Sequence, residues 1–115
     1  MALAALKPAG AQTLRWGGDA EGGAPFVEAD PRDPSKLVGF DVEIAELIAR
    51  QLGRTPQFLQ VQFTSLDQSA RRGDFDIGLS GIEDIPVRRQ SLAASIPYYE
   101  FREVLTVREA DRGRY

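Results

Sequence analysis

The chain has 115 residues, 43% of them hydrophobic, and a formal charge of −3. That length supports one domain with a real core, burying roughly two-thirds of the surface its unfolded chain exposes. The acidic balance excludes an electrostatic nucleic-acid binder, which needs a basic stripe. The complete absence of cysteine and histidine excludes disulfides, Cys/His zinc sites, thiol nucleophiles and His-based triads, so neither a metal nor a cofactor is expected.

Residues 1–12, MALAALKPAGAQ, read as a tail: their apolar piece is too short for a complete signal peptide and suits a signal or linker remnant. No apolar run approaches the ~20 residues of a membrane span. A short strand at residues 14–16 stops at Gly17-Gly18-Asp19, and extended arms at 25–28 and 36–39 flank a turn built from DPRDPS. The best helix follows. Asp41 is its expected N-cap, Phe40, Ile44, Leu47, Ile48 and Leu52 repeat at helical spacing, Glu43 lies in the first turn and Gly53 is the stop. Residues 58–63 alternate as a second strand. Ser65 and Gln68 form a capping-box pair opening a short helix that ends at Gly73, and Phe75, Ile77 and Leu79 alternate as a third strand. Pro86 opens a helix expected to run to about Ser95, where Pro97 ends it, and a last strand is expected over 99–108.

Strands alternating with helices in this way predict a mostly parallel α/β sheet with helices on both faces. Right-handed crossovers place the first strand between the second and third, giving order 2-1-3. Ligands bind such sheets beyond the carboxyl ends of the strands, where the winding reverses. The loops at Gly18-Asp19 and Ser80-Gly81 therefore face one crevice.

The stretch DFDIGLSGIEDIPVRRQ poses a chemical question, because Arg88 and Arg89 fall in the expected first turn of a helix, where the backbone is already partly positive. One answer is an anion site, with backbone N–H groups at Gly81, Ile82 and Glu83 forming a cradle and Arg88 adding a bidentate fork suited to a carboxylate. Glu83, Asp84 and Asp19 would repel a multiply charged anion but suit a guest carrying both signs. A free amino acid is the simplest such molecule. The other answer is a surface ion pair of Arg88 or Arg89 with Glu83 or Asp84. Asp19 serves equally well as a turn cap, and Phe63 as a core residue.

Several segments resemble the family 3 solute-binding proteins, the polar amino acid receptors of bacterial ABC importers: APFVEAD, KLVGFDVEIAELIARQLG, RRGDFDIGLSGIEDIPVRRQ and SIPYYEFREVLTVRE, together spanning about residues 13–110. The resemblance implies one lobe of a type II periplasmic-binding-protein fold, a three-layer α/β/α lobe with the second lobe absent. Residues 13–110 would form the first ligand-binding lobe and 111–115 a truncated crossover toward the missing one. The resemblance also implies roles: Arg88 for the ligand α-carboxylate, the turn Ser80, Gly81 and Ile82 for backbone contacts, Phe63 as a stacking aromatic, and Asp19 as a polar residue ending strand one. Glu83 departs from the family pattern by replacing a hydroxyl residue that helps hold the carboxylate. Ile85 replaces a hydroxyl N-cap, leaving Asp84 as the substitute. Gly22-Gly23 lies where another stacking aromatic is common, which opens one pocket wall.

On this resemblance the chain is expected to be an extracytoplasmic or periplasmic module that binds a polar amino acid and hands it to an ABC permease. Self-association through the face or strand bared by truncation is also expected. Two other readings stand beside it: an enzyme of cyclohexadienyl or arogenate dehydratase type on the same scaffold, with Glu83 the candidate acid, and a sensory input domain. A receiver domain is excluded because strand three ends Leu79-Ser80-Gly81 with no phosphoacceptor Asp, and GGDAEGG matches neither a dinucleotide fingerprint nor a phosphate loop.

Overall fold

A computed structural model describes residues 12–115, so the expected N-terminal tail lies outside it except for its last residue. Strand β1 (Thr13–Gly18) is central. It pairs in parallel on one edge with β4 (Thr55–Gln60) and on the other with β5 (Ile77–Gly78), giving sheet order β4-β1-β5. This is the anticipated 2-1-3 winding. A separate antiparallel hairpin pairs β2 (Glu28–Ala29) with β3 (Leu37–Val38) around the Asp- and Pro-rich turn.

Helix α1 (Phe40–Gln51) crosses from the hairpin back to β4, and α2 (Leu66–Arg72) crosses from β4 to β5. Because the two right-handed crossovers run in opposite directions across β1, the helices lie on opposite faces of the sheet. On the α1 face, Trp16, Val27, Ala45 and Leu79 form the buried core, with the Trp16 and Phe58 rings 4.7 Å apart between centroids. On the other face the Phe75 ring lies directly over Gly17, leaving no space for a Cβ there. From α1, Ala45 and Ala49 are fully buried and Val42 and Ile44 pack half-buried against the core, whereas Leu47 and Leu52 are 54% and 51% exposed.

Four local expectations need correction. First, Asp41 is not the N-cap of α1. The cap is Gly39 at φ 127°, and the free N–H groups of Phe40 and Asp41 donate to the carbonyls of Pro25 and Phe26 at 3.1 and 3.0 Å. Backbone carbonyls thus do what a capping side chain would do, and the Asp41 side chain is released for other partners. Secondly, β4 begins three residues early and ends before Phe63. Pro56 is accommodated because β4 is an edge strand that pairs only with β1. Phe63 opens a 3₁₀ turn (Phe63–Ser65) instead, and Ser65 makes no side-chain capping bond to α2. Thirdly, α3 (Pro86–Arg89) is a single turn rather than a helix reaching Ser95. Its Val87 is 59% exposed, so it lacks the buried stripe that sustains a longer helix. Asp84 does not cap it but pairs with Arg89. Finally, residues 99–108 form no strand. With no neighbouring strand beside them, their backbone has no ladder to join, and the chain at Tyr98 and Tyr99 is instead held by aromatic packing on α1.

At the pole away from the β-strand carboxyl ends, Arg15 locks β1 to the segment before β5. Its guanidinium donates to the carbonyls of Gly73 and Asp74 and to Asp76 Oδ1 at 2.9 Å, while its backbone N–H donates to Asp76 Oδ2 at 2.8 Å. These bonds hold the Asp76 carboxyl below the ordinary carboxylate range.

Two predictions follow from this packing. A Cβ added at Gly39 would lie 2.2 Å from the Phe26 carbonyl oxygen at a positive φ, so Gly39→Ala is expected to cost at least ~2 kcal/mol in chemical denaturation. The Asp76 contribution is fully present above its unfolded value of 3.8 and is lost as pH falls through its depressed folded value. The unfolding midpoint of Asp76→Asn is therefore expected to start lower at neutrality and to fall less on acidification than that of the unsubstituted chain.

Candidate functional site

The loops that leave β1 and β5 meet where the winding reverses, as the topology requires. The Asp19 backbone N–H donates to Ser80 Oγ at 3.0 Å, closing the gap between the two strand ends. Around this contact lies a cavity of about 420 Å³ lined by Asp19, Gly22, Gly23, Pro25, Phe26, Phe63, Ser80, Gly81, Glu83, Tyr99 and Phe101.

Each wall has a local cause. Asp19 ends β1 and folds its carboxylate inward onto the protein. Oδ1 accepts from the Glu21 N–H and from Gln60 Nε2, and Oδ2 accepts from the Phe63 N–H at 2.9 Å. The Phe63 N–H bond is the main reason the Asp19 carboxyl lies below its ordinary range. Asp19 thus already accepts three hydrogen bonds from within the chain, and what it does is fix Phe63 at the cavity edge. Gln60 completes the clamp by accepting from the Ala20 N–H through Oε1.

Gly81 has φ 61°, and the Phe26 ring lies so close that a Cβ would fall 2.7 Å from it. Only glycine allows that approach. The Gly81 N–H is not free for an anion, since it donates to Asp41 Oδ2 at 3.2 Å. The expected cradle of unpaired amides is to that extent already occupied. Ile82 turns away from the cavity into a larger adjoining groove of about 650 Å³, where it packs toward Gly78.

Arg88 lines the groove, behind Phe63 and Glu83 of the cavity wall. Its guanidinium carbon is 6.0 Å from the Phe63 ring centroid, and its side chain is only 17% exposed. Nε donates to both oxygens of Asp67, at 3.1 and 2.9 Å, and Nη1 donates to the Glu83 carbonyl and to Glu83 Oε2 at 2.6 Å. Nη2 has no hydrogen-bond partner among the described residues. Arg89 instead pairs bidentately with Asp84 at 2.6 Å on the surface. Because α3 is a single turn, it has no extended dipole for the arginines to oppose, and both are paired with carboxylates, Arg88 with Asp67 and Glu83 and Arg89 with Asp84. Arg88 holds the Glu83 carboxyl below its ordinary range, so Glu83 is ionised at neutral pH.

The structure therefore brings Asp19, Phe63, Ser80, Gly81 and Glu83 to one cavity, with Arg88 immediately behind Glu83 and Ile82 outside. Reading the residues did not anticipate Tyr98, Tyr99 and Phe101. Phe26, Phe40 and Tyr99 form a cluster with centroid separations of 5.0 to 5.6 Å, and Tyr98 donates its hydroxyl to Asp41 Oδ1 at 2.9 Å. The density of aromatics in SIPYYEF was the available signal. Asp41 itself is fully buried, and burial raises its carboxyl above the ordinary value despite its two hydrogen bonds. Among the described residues no cluster of acidic side chains has a geometry that would hold a metal, and no helix is long and apolar enough to cross a membrane.

Comparison with known proteins agrees with this geometry. Residues 14–113 match the bacterial extracellular solute-binding proteins, family 3. A probable histidine-binding protein of Neisseria gonorrhoeae is 32% identical over 73% of the chain and 31% of its own length. Among solved structures, an arginine-bound domain 1 from TmArgBP carrying a Phe-to-Trp substitution aligns with TM-score 0.70 and 31% identity, covering 76% of this chain and 66% of that one. An ancestral cyclohexadienyl dehydratase aligns with TM-score 0.69 and 30% identity over 76% of this chain and 35% of that one. The chain spans about a third of the length of the curated relatives it matches. With its β4-β1-β5 winding, its cavity at the reversal point and a match running over nearly all the described residues, the chain belongs to family 3 of the bacterial extracellular solute-binding proteins.

Proposed function

We propose that this chain is an extracytoplasmic binding lobe for a polar amino acid with a cationic side chain, acting with a second lobe and an ABC permease in import. One observation carries the reading: an aromatic-walled cavity at the switch point, with a half-buried guanidinium just behind its Phe63 and Glu83 wall that keeps one N–H pair unbonded among the described residues. The free Nη2 of Arg88 is a donor suited to an α-carboxylate. Phe26, Phe63, Tyr99 and Phe101 offer ring faces on which a cationic side chain gains cation–π attraction. A relative named as a probable histidine-binding protein and an arginine-bound isolated domain of a related structure are both consistent with such a guest.

The enzyme reading fares worse on chemistry. A dehydratase needs an acid that still carries its proton at neutral pH, and Glu83 is held ionised by Arg88. The carboxyl with a raised value, Asp41, is buried behind Gly81 and does not line the cavity. The expected self-association is supported by the exposed apolar side chains Ile96, Val104 and Leu105 and by the outer edge of β5, which pairs only with β1.

Isothermal titration with L-arginine and with agmatine, which lacks the α-carboxylate, tests the assignment. L-arginine is expected to bind at least about tenfold more tightly, the worth of a charge-assisted hydrogen bond, and Arg88→Ala is expected to erase that difference. Equal affinity for the two ligands in the unsubstituted chain would refute a carboxylate grip. Since the Glu83 carboxylate on Nη1 repels a guest carboxylate at the neighbouring Nη2, Glu83→Thr is expected to tighten L-arginine binding about two- to fivefold, the scale of a partly exposed charge pair. Weaker binding would instead show that Glu83 contacts the ligand directly.

A further inference from the structure

Asp41 lines no part of the cavity, yet its atoms reach three separate segments that do. Its backbone N–H donates to the Phe26 carbonyl at 3.0 Å. Its Oδ2 accepts from the Gly81 N–H at 3.2 Å, and its Oδ1 accepts from the Tyr98 hydroxyl at 2.9 Å. Phe26, Gly81 and Tyr99, the neighbour of Tyr98, all face the cavity. The residue is 0% exposed, so water does not substitute for any of these partners. A carboxylate offers a separate oxygen to each of these two donors.

We infer that Asp41 is a positioning residue for the ligand pocket, a buried strut that sets the Ser80–Gly81 turn and the Tyr99–Phe101 wall at a fixed separation. The inference rests on the proposed reading only where it concerns the ligand. The geometry of the strut stands without it. Phe40 closes the arrangement from the other side, its ring 6.1 Å from Tyr98 and 5.0 Å from Tyr99. Removing the Tyr98 hydroxyl therefore leaves the ring seated while taking away its hold on the carboxylate. Tyr98 is also the phenol that would report the contact, since its ionisation is pushed well above the ordinary tyrosine range by burial and by the adjacent Asp41 charge.

The experiment compares the unsubstituted chain with Tyr98→Phe and Asp41→Leu, each checked for fold by circular dichroism. Leu is of similar size but offers no acceptor, so both the Gly81 N–H and the Tyr98 hydroxyl lose their partner. Amide hydrogen exchange at Gly81, followed by NMR, is expected to speed up at least about fivefold in both variants. L-arginine affinity by calorimetry is expected to drop at least about fivefold in Tyr98→Phe, a variant that touches no cavity-lining side chain. Tyr115→Phe serves as the neutral control. Unchanged Gly81 exchange in Tyr98→Phe overturns the strut. Faster exchange with unchanged affinity overturns its role in positioning the pocket. If the unsubstituted chain binds no L-arginine, the ligand reading fails while the exchange comparison still decides the strut.

Discussion

Parallel pairing of β1 on both of its edges is the constraint from which the site descends. Trp16 stands opposite Phe58 on one side and Ile77 on the other, and Gly17 stands opposite Leu59 and Gly78. Because all three strands point the same way, their carboxyl ends finish at one level. The chain must then leave β1 and β5 through adjacent loops. The Asp19–Ser80 bond, the clamp on Phe63 and the approach of Phe26 to Gly81 are consequences of that shared exit. Slipping β5 by one residue would turn its side chains to the opposite face and separate the two loops.

Above this frame the site is held by acids and arginines that satisfy one another. Asp19 spends its oxygens on backbone and Gln60, Asp67 and Glu83 share Arg88, and Asp84 holds Arg89. Among the described residues no buried side-chain nitrogen or oxygen lacks a partner. This pairing reconciles the two answers the sequence leaves open for Arg88. The guanidinium does pair with nearby acids, and it also lies directly behind Phe63 and Glu83 of the aromatic cavity's wall. Pairing and binding are not exclusive for a group with several donors on a planar fork.

The winding, the location of the crevice and four candidate residues lining it, Asp19, Ser80, Gly81 and Glu83, are legible in the sequence, because hydrophobic spacing and glycine stops report strand order and strand ends directly; Phe63, also in the lining, follows only from the family resemblance. The role of Asp41 is not. Sequence pattern treats an Asp ahead of an apolar helical repeat as a cap, and only the approach of Pro25 and Phe26 to the helix start, which is a tertiary contact, shows that capping is done by other atoms. The brevity of α3 and the missing strand at 99–108 have a similar origin: local propensity is adequate in both, but neither has a neighbour to pack or pair against, and propensity alone seldom sustains an element. Ile82 illustrates a third limit. The turn that contains it is correctly located, yet which way one side chain points within a tight turn depends on the positive φ at Gly81 beside it.

The occupancy of Arg88 by Glu83 has a bearing on thermodynamics. A guest carboxylate on the open Nη2 would meet a cation whose charge is already balanced by Asp67 and by the 44% exposed Glu83. Such a group offers directed donors more than net attraction. Dissolved ions then have little unbalanced charge to shade, and the equilibrium would be nearly indifferent to salinity, unlike a vacant cationic socket, whose hold on an anion fades as electrolyte accumulates.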